Sequence, residues 1–284
     1  METSSQSPLV VAFVADLMFT TRISNVIRHL GYRVQWIEDT AVVGKNQADI
    51  PQHGFSEQVQ GLTGQLFVKL AGWQPALLLF DLANQSIPWQ RWIPLLKSSP
   101  ATRRIPIMAF GPHTDVELMG AAKRAGADTV LARSRFTSDM PKLLKKYARI
   151  PNYESIAATC REPLSSLATN GIDKFNRGEY YACHDDLEEA WRQDDSPGRD
   201  LYRGILQVAI AYYQIERDNF RGAMKMLLRL RQWLDPLPPI CRGVNVEKLR
   251  QEVEVVQTAL VALGEDQTGD FDKSLFNPIA FNLQ

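Results

Sequence analysis

The first half of the chain alternates short apolar runs with longer segments of helical periodicity. Each apolar run holds five or six residues and is rich in β-branched and aromatic side chains, which indicates strands buried in a parallel sheet. The first helical segment closes at Gly31, a residue typical of a helix end. We therefore predict five strands, at residues 9–14, 32–37, 76–80, 105–110 and 128–132.

A predicted helix precedes or follows each of these strands. The helices are expected at residues 20–30, 56–72, 89–97, 116–125 and 133–149, with a polar loop at 40–55. Five β-α units in sequence predict a doubly wound five-stranded parallel sheet, in which sites lie at the carboxyl ends of the strands. Four candidate site residues fall there, namely Asp16, Asp81, Gly111 and Arg133.

The second half of the chain has helical periodicity throughout and no strand pattern. Helices are predicted at residues 164–177, 180–193, 201–217, 220–234 and 245–263. The short turns between them predict antiparallel neighbours and hence a helical bundle, with faint tetratricopeptide-like hairpins. The predicted fold class is thus an α/β domain followed by an all-α domain.

These patterns divide the chain into five segments. They are a disordered N-terminus at 1–8, an α/β domain at 9–149, a linker at 150–163, a helical bundle at 164–264 and a C-terminal tail at 265–284. The tail is acidic at first and ends in an apolar stretch. We expect this apolar end to dock on a domain or on a partner.

Two of the predicted helices carry polar side chains at the margin of an apolar face. On the helix at 180–193, three such residues recur at i, i+4 and i+7, which places them on one stripe. The helix at 201–217 is apolar almost all round, and three polar interruptions share one of its faces. Docking the two faces predicts a buried polar cluster of His184, Glu188, Trp191, Arg203, Gln207 and Gln214.

Two hypotheses account for this cluster. The first is a structural network in which Glu188 accepts hydrogen bonds from Arg203 and His184. The second is an enzyme or ligand site, with His184 and Glu188 as candidate catalytic residues or as ligands of one metal ion. His-x-x-x-Glu offers only two metal ligands, and Arg203 would repel a cation, so the structural hypothesis is favoured. Cys183 lies about 100° round the helix from His184, which predicts core packing rather than a nucleophile.

The order of elements at residues 8–149, with Asp81 at the end of the third strand, resembles the CheY-like receiver domain of bacterial response regulators. The resemblance implies that Asp81 is the phosphoryl acceptor. It also implies a Mg²⁺ site at an acidic pair after the first strand, of which Asp16 is the second member. Asp16 and Asp81 are therefore a weak magnesium candidate. The family has Ser or Thr at the position of Gly111 and Lys at the position of Arg133.

Three departures from the receiver pattern argue against efficient phosphorylation. Ala15 replaces the first acidic residue, and the loss of a carboxylate weakens a Mg²⁺ site. Gly111 offers no hydroxyl to a phosphoryl group, and Arg133 differs from lysine in reach and shape. We therefore interpret the domain as a pseudo-receiver.

The segment at residues 175–191 resembles the signature of the all-helical bacterial domain-of-unknown-function family 309. That signature places Gly-Glu-[Tyr/Phe] before His-Glu-x-x-Glu-x-x-Trp, and the resemblance extends over about residues 165–240. Asp185 stands where the family usually has Glu, and Gln214 stands where His is frequent. The resemblance implies a helical fold and carries no activity with it.

Composition narrows the function classes. Lys plus Arg and Asp plus Glu both number 32, so no net charge draws the chain to nucleic acid or to a membrane surface. No apolar run approaches the roughly 20 residues of a membrane span, and the polar N-terminus is unlike a signal peptide. Cys160, Cys183 and Cys241 are far apart and odd in number, which fits a reducing cytoplasm.

The sequence thus predicts a cytoplasmic regulatory or scaffold protein that acts through protein–protein contacts, and it argues against an enzyme. The receiver-like domain is the input module and the helical bundle is the output. The sequence leaves open whether these contacts include the formation of a homodimer. The alternative is an enzyme or ligand-binding domain that uses His184, Glu188, Arg203 and Gln207. No cofactor is expected apart from the weak Mg²⁺ candidate.

Overall fold

The computed structural model describes residues 7–44 and 62–282. This part of the chain divides into two compact units, with the boundary between Ile150 and Pro151. The predicted disorder at residues 1–6 and most of the predicted loop, at 45–55, lie outside the described residues. No described helix is long and apolar enough to cross a membrane, and the cytoplasmic location stays a prediction.

The first unit is built on five parallel strands. They are β1 (Leu9–Phe13), β2 (Arg33–Trp36), β3 (Leu77–Asp81), β4 (Ile107–Gly111) and β5 (Thr129–Ala132). Their order is β2-β1-β3-β4-β5, and every pairing is parallel, which confirms the predicted doubly wound sheet. The central strands β3 and β4 are buried along their whole length, which explains their continuous apolar sequence.

In the part of the chain that the structure describes, six helices connect and cover these strands. They are α1 (Leu17–His29), α2 (Thr40–Gly44), α3 (Leu62–Trp73), α4 (Trp89–Ser98), α5 (Val116–Arg124) and α6 (Arg133–Tyr147). Ile23 of α1 and Phe136 of α6 pack in one buried cluster with side chains of the sheet. Phe13 of β1 belongs to the opposite face, where its ring lies 5.8 Å from that of Trp92 in α4. The prediction of a loop at 40–55 is wrong at its start, because residues 40–44 form α2.

The second unit is mostly helical. It contains α7 (Tyr153–Thr159), α8 (Ser166–Asn176), α9 (Cys183–Gln193), α10 (Asp200–Glu216), α11 (Phe220–Leu234) and α12 (Val246–Leu263). Helix α7 lies inside the stretch that the sequence predicts as a linker. An antiparallel hairpin of β6 (Ile240–Cys241) and β7 (Val244–Asn245) precedes α12, so the expectation of no strand in this half is wrong. Strands of two residues are too short to leave a periodic signal.

Helix α10 is the centre of the second core. It is buried over most of its length and packs against α9 and α11. Its close approach to α11 depends on Gly204, because a Cβ at that position would lie only 2.8 Å from Cγ of Leu234. Asn219 caps the start of α11 by accepting a hydrogen bond from the N–H of Gly222 at 2.9 Å.

The C-terminal tail packs against the second unit. The Asn176 side chain donates to the carbonyl of Ile279 at 3.0 Å and accepts from its N–H at 2.7 Å. The ring of Phe276 stacks on that of Tyr212 in α10, with centroids 4.1 Å apart. The apolar end of the tail therefore docks on the helices of its own chain.

A disulfide joins Cys160, which directly follows α7, to Cys241 in β6. The structure thus differs from the sequence-based interpretation, which took the cysteine spacing as typical of a reducing compartment. The fold brings together two residues that lie 81 positions apart. The neighbouring Arg242 strengthens this junction, because its side chain is buried and donates to the hydroxyls of Tyr202 at 2.6 Å and Ser196 at 2.8 Å.

The substitution Gly204→Ala tests the close packing of α10 on α11. The added methyl group meets Leu234, and we expect a loss of about 1–3 kcal/mol in unfolding free energy. Thermal unfolding followed by circular dichroism measures this loss. Gly120→Ala in α5 is the control, because its Cβ meets only the flexible end of Arg124. Equal stability of the Gly204→Ala variant and the wild type would contradict the packing described.

Thiol counting tests the disulfide. The native, unreduced protein should show no reactive thiol, because Cys183 is buried and burial raises the pKa of its thiol to about 12. In denaturant without reductant, the one free cysteine, Cys183, should react. All three cysteines should react after reduction. Three reactive thiols in denatured protein that never met a reductant would rule out the Cys160–Cys241 bond.

Candidate functional site

The carboxyl edge of the sheet brings together the residues that the sequence singles out. Asp16 follows β1 and caps α1, because its Oδ1 accepts from the N–H of Phe19 at 3.1 Å. Asp81 is the last residue of β3, and its side chain is 4% exposed. Gly111 ends β4, and Arg133 begins α6 directly after β5.

Asp81 is bound through both carboxylate oxygens. Its Oδ1 accepts from the N–H of Ala83 at 3.0 Å, and its Oδ2 accepts from Nη2 of Arg133 at 2.6 Å. Nη1 of the same guanidinium lies 3.7 Å from Oδ2 of Asp16. One arginine therefore faces two carboxylates. A buried carboxylate such as that of Asp81 needs a partner of this kind.

Two aromatic rings hold Arg133 in place. Its guanidinium carbon lies 5.0 Å from the ring centroid of Phe19 and 5.8 Å from that of Phe110. A planar guanidinium can stack on aromatic faces while its edge binds a carboxylate, and an ammonium cannot do both. The cation is thereby fixed at the edge of the sheet.

Gly111 and Ala15 complete this edge without adding polar groups. A Cβ at Gly111 would lie 3.3 Å from Cβ of Leu82, so a serine or threonine there would press on that side chain. Ala15 is exposed and contributes only a methyl group. These two positions therefore supply neither the hydroxyl nor the first acidic residue of the receiver pattern.

In the helical unit, two residues of the predicted cluster lie at the surface. The His184 side chain is 36% exposed, and its Nδ1 lies 3.8 Å from Oε2 of Glu188. Glu188 accepts instead from Nη2 of Arg192, one turn further along α9, at 2.9 Å. The prediction that His184 and Glu188 are buried is wrong, because both side chains are about one third exposed at the margin of the buried face of α9.

Trp191 and Arg203 are brought together by the packing of α9 on α10. The guanidinium carbon of Arg203 lies 4.3 Å from the ring centroid of Trp191 and 4.5 Å from that of Trp233 in α11. Arg199 lies 4.9 Å from the ring of Trp191. These distances are within the range of cation–π attraction. We call Trp191, Arg203 and Trp233 the tryptophan–arginine stack.

Sequence reasoning missed Trp233 and Arg199 as members of this site. Both lie outside the two helical faces from which the cluster was predicted. The one indication in the sequence that aromatic rings belong to this site is Arg203, because an arginine on an otherwise apolar helix often contacts such rings.

Gln207 lies one helical turn beyond Arg203 and is only 5% exposed. Its Oε1 and the Nε1 of Trp191 are both buried, and neither has a hydrogen-bond partner among the described residues. Gln214 differs from Gln207, because its Oε1 accepts from Nδ2 of Asn219 at 2.7 Å. Gln214 thus contributes to the junction of α10 and α11.

Cys183 is inert in this structure. Its thiol donates to the carbonyl of Tyr180 at 3.1 Å, and burial raises its pKa to about 12. The group therefore stays protonated at neutral pH and is a poor nucleophile. Within residues 7–44 and 62–282, no group of three or more His, Cys, Asp or Glu side chains could hold a metal ion.

Part of the chain matches a known protein family. Residues 168–226 match the family described as a domain of unknown function, DUF309. An uncharacterized protein, YpuF of Bacillus subtilis (strain 168), is 38% identical over 50 residues, which are 17% of this chain and 29% of that protein. An uncharacterized protein of Aquifex aeolicus (strain VF5) is 26% identical over 83 residues, 29% of this chain and 25% of that protein. The chain thus matches less than a third of the length of each of these curated relatives.

A solved receiver domain is similar to about half of the chain. It belongs to the sensor histidine kinase PA1611 of Pseudomonas aeruginosa PAO1, is 17% identical, and covers 50% of this chain and 97% of that chain with a TM-score of 0.37. The strand order 2-1-3-4-5 of the first unit is the order of receiver-like sheets. The first unit thus has the CheY-like strand order, and residues 168–226 match DUF309.

The substitution His184→Ala is expected to lower the unfolding free energy by less than about 1 kcal/mol, because a partly exposed histidine with loose ion-pair geometry contributes little. Leu187→Ala on the same helix is the matched control. Leu187 is fully buried, and its truncation should cost about 2–5 kcal/mol. Chemical denaturation measures both values. A loss for His184→Ala as large as that for Leu187→Ala would restore the structural-network hypothesis.

Proposed function

We propose that this protein is a regulatory or scaffold protein that acts through contacts with other proteins. In this proposal the first unit is a receiver-like input module that is not phosphorylated, and the helical unit is the output. The observation that carries the proposal is the 2.6 Å ion pair between Arg133 and Asp81.

The ion pair opposes phosphorylation in two ways. A phosphoryl group on Asp81 would have to displace Arg133 from Oδ2 or the N–H of Ala83 from Oδ1. Mg²⁺ takes oxygen ligands in octahedral geometry and favours sites with several negative charges. Arg133 leaves the pair of Asp16 and Asp81 with one net negative charge, since two carboxylates face one guanidinium.

Exposed apolar side chains support a role in contacts. Leu17 and Met18, at the start of α1, are 77% and 86% exposed and lie next to Asp16. In the helical unit, Tyr181 is 67% exposed and its ring lies 5.1 Å from that of Tyr213. Large apolar groups in water at such positions are typical of surfaces that bind a partner.

The enzyme alternative at His184 and Glu188 has less support. Glu188 is held by Arg192, and the 3.8 Å separation from His184 is longer than a hydrogen bond. Nδ1 of His184 also lies 3.4 Å from Oδ1 of Asp185, but that carboxylate is almost fully exposed to water, which weakens an ion pair. A contact role for the helical unit remains the better account.

Amide spectra of the ¹⁵N-labelled protein test the proposal. We expect no saturable shift of the Ala83 amide, which donates to Asp81, when Mg²⁺ and beryllofluoride are added, because Arg133 holds the carboxylate. The variant Arg133→Ala is the positive control. It exposes both carboxylates and should give a Mg²⁺-dependent shift of Ala83 in the millimolar range. Asp81→Asn should give none.

A Mg²⁺-dependent beryllofluoride shift in the wild type would contradict the proposal. So would a phosphate that forms from acetyl phosphate in the wild type, is labile to base and to hydroxylamine, and is absent in Asp81→Asn. Either result would make Asp81 a working acceptor.

A further inference from the structure

A cavity of about 380 Å³ lies beside the disulfide of the helical unit. Its walls are formed by residues 160–164, by residues 240, 242 and 243 of the hairpin, and by Asn282. The cavity reaches the surface, because the side chain of Glu162 in its wall is 57% exposed. Cavities of roughly 300–1,000 Å³ commonly hold small molecules. The disulfide thus borders a space that a small molecule can enter from water.

The two cysteines of the bond differ in their access to this cavity. Cys160 belongs to the cavity wall and keeps 5% of its surface exposed, whereas Cys241 is completely buried. A thiolate breaks a disulfide by attacking one of its sulfurs, so the rate depends on which sulfur it can reach. The geometry therefore directs attack to Sγ of Cys160, with Cys241 as the leaving group.

We propose that the Cys160–Cys241 bond is a thiol-exchange site for small peptide-like thiols of the glutathione kind. A thiolate attacks Sγ of Cys160 and forms a mixed disulfide there, while the bond to Cys241 breaks and Cys241 takes up a proton. A second thiolate then attacks the sulfur of the bound thiol, and Cys160 leaves and takes up a proton. Two small thiols are thereby oxidised to one disulfide, and both cysteines are reduced. This modification goes beyond the proposed function and does not depend on it.

The walls of the cavity suit a small zwitterionic thiol. Arg161 and Glu162 bring opposite charges to the wall, and Leu164 and Ile240 add apolar surface. A thiol of the glutathione kind carries carboxylate and ammonium groups, which can pair with these charges. The cavity volume excludes the body of a protein, so the reactant is a small molecule.

The junction around the disulfide is also held by contacts that do not involve sulfur. The backbone N–H of Arg242 donates to the carbonyl of Cys160 at 2.6 Å, and its guanidinium donates to the hydroxyl of Tyr202 at 2.6 Å. The N–H of Gly198 donates to Oγ1 of Thr159 at 3.0 Å. These contacts hold the end of α7 beside the hairpin when the bond is broken. Exchange therefore opens a covalent link in a unit that stays folded.

A reversible bond also agrees with the cytoplasmic location that the sequence predicts. Disulfides in a cytoplasm are usually transient, because thiols keep that compartment reducing. A bond that small thiols open and close would alternate there between two states. In the oxidised state residues 160–241 form a covalent ring, and in the reduced state the chain is open.

Two serine variants test the difference in access. Cys241→Ser leaves the thiol of Cys160 in the cavity wall, and Cys160→Ser leaves the buried thiol of Cys241. Both variants lack the disulfide, so each is the matched control of the other. Each full-length variant is incubated with oxidised glutathione, whose disulfide the protein thiolate attacks, and mass spectrometry locates the mixed disulfide. We expect Cys160 to be modified about tenfold faster than Cys241, or more. The buried Cys183 should stay unmodified in both variants.

Reduction of the wild type tests whether exchange occurs in the folded protein. Excess reduced glutathione is added, glutathione reductase removes the oxidised product, and the thiols beyond Cys183 are counted in denaturant after an acid quench. Direct attack through the cavity gives a rate that is proportional to the glutathione concentration and changes less than about twofold in about 1 M urea. A bond that opens only after unfolding reacts about tenfold faster in that urea, because urea shifts the unfolding equilibrium.

Three results would each overturn this proposal. They are equal modification of Cys160 and Cys241 in the two variants, no thiol formed in the folded wild type, and reduction that accelerates about tenfold in urea. Circular dichroism shows whether the serine variants are folded. The wild-type kinetics decide the question alone if a variant does not fold.

Discussion

A polar group taken out of water must find a partner, and this constraint shapes both units of the protein. Asp81 at the end of β3 meets it with Arg133 and the backbone of Ala83. Arg242 meets it with hydroxyl groups from α10 and from the turn before it. Such pairs hold loops and helix ends in fixed positions because losing one partner leaves the other buried and unsatisfied. Oε1 of Gln207, Nε1 of Trp191 and Nε of Arg242 depart from the rule, because these buried atoms have no hydrogen-bond partner among the described residues.

The first unit shows how one arginine sets the charge at the edge of a sheet. The sheet still gathers charged residues at its carboxyl edge, as the topology requires. Arginine, pinned by Phe19 and Phe110, supplies there a permanent cation that belongs to the chain itself. At that edge a cation of the same unit thus compensates the buried carboxylate of Asp81.

The strands and helices could be predicted because burial imposes a pattern of apolar and polar positions on the sequence. Strands β3 and β4 are covered on both faces and therefore read as continuous apolar runs. The hairpin at residues 240–245 escaped prediction because its strands are short and its turn holds Arg242, a residue uncommon at a positive φ of 52°.

The candidate sites were only partly predictable. The sequence indicated which helical faces meet, and the structure brings Trp191 and Arg203 together there. It could not show that the start of α9 leaves His184 near water, because helix ends depend on tertiary packing. The pairing of Cys160 with Cys241 was also out of reach, since spacing along a chain does not encode proximity in space.

The bond between these two cysteines turns part of the chain into a covalent ring. The ring runs from residue 160 to residue 241 and encloses all of residues 168–226, the stretch that matches DUF309. Closing a loop of this length lowers the entropy of the unfolded chain and stabilises the fold by about 4–5 kcal/mol in the chain-entropy account. A protease that cuts once inside the ring would leave both fragments tethered. While the bond is intact, the DUF309 domain is thus topologically closed, with the receiver-like unit attached outside it.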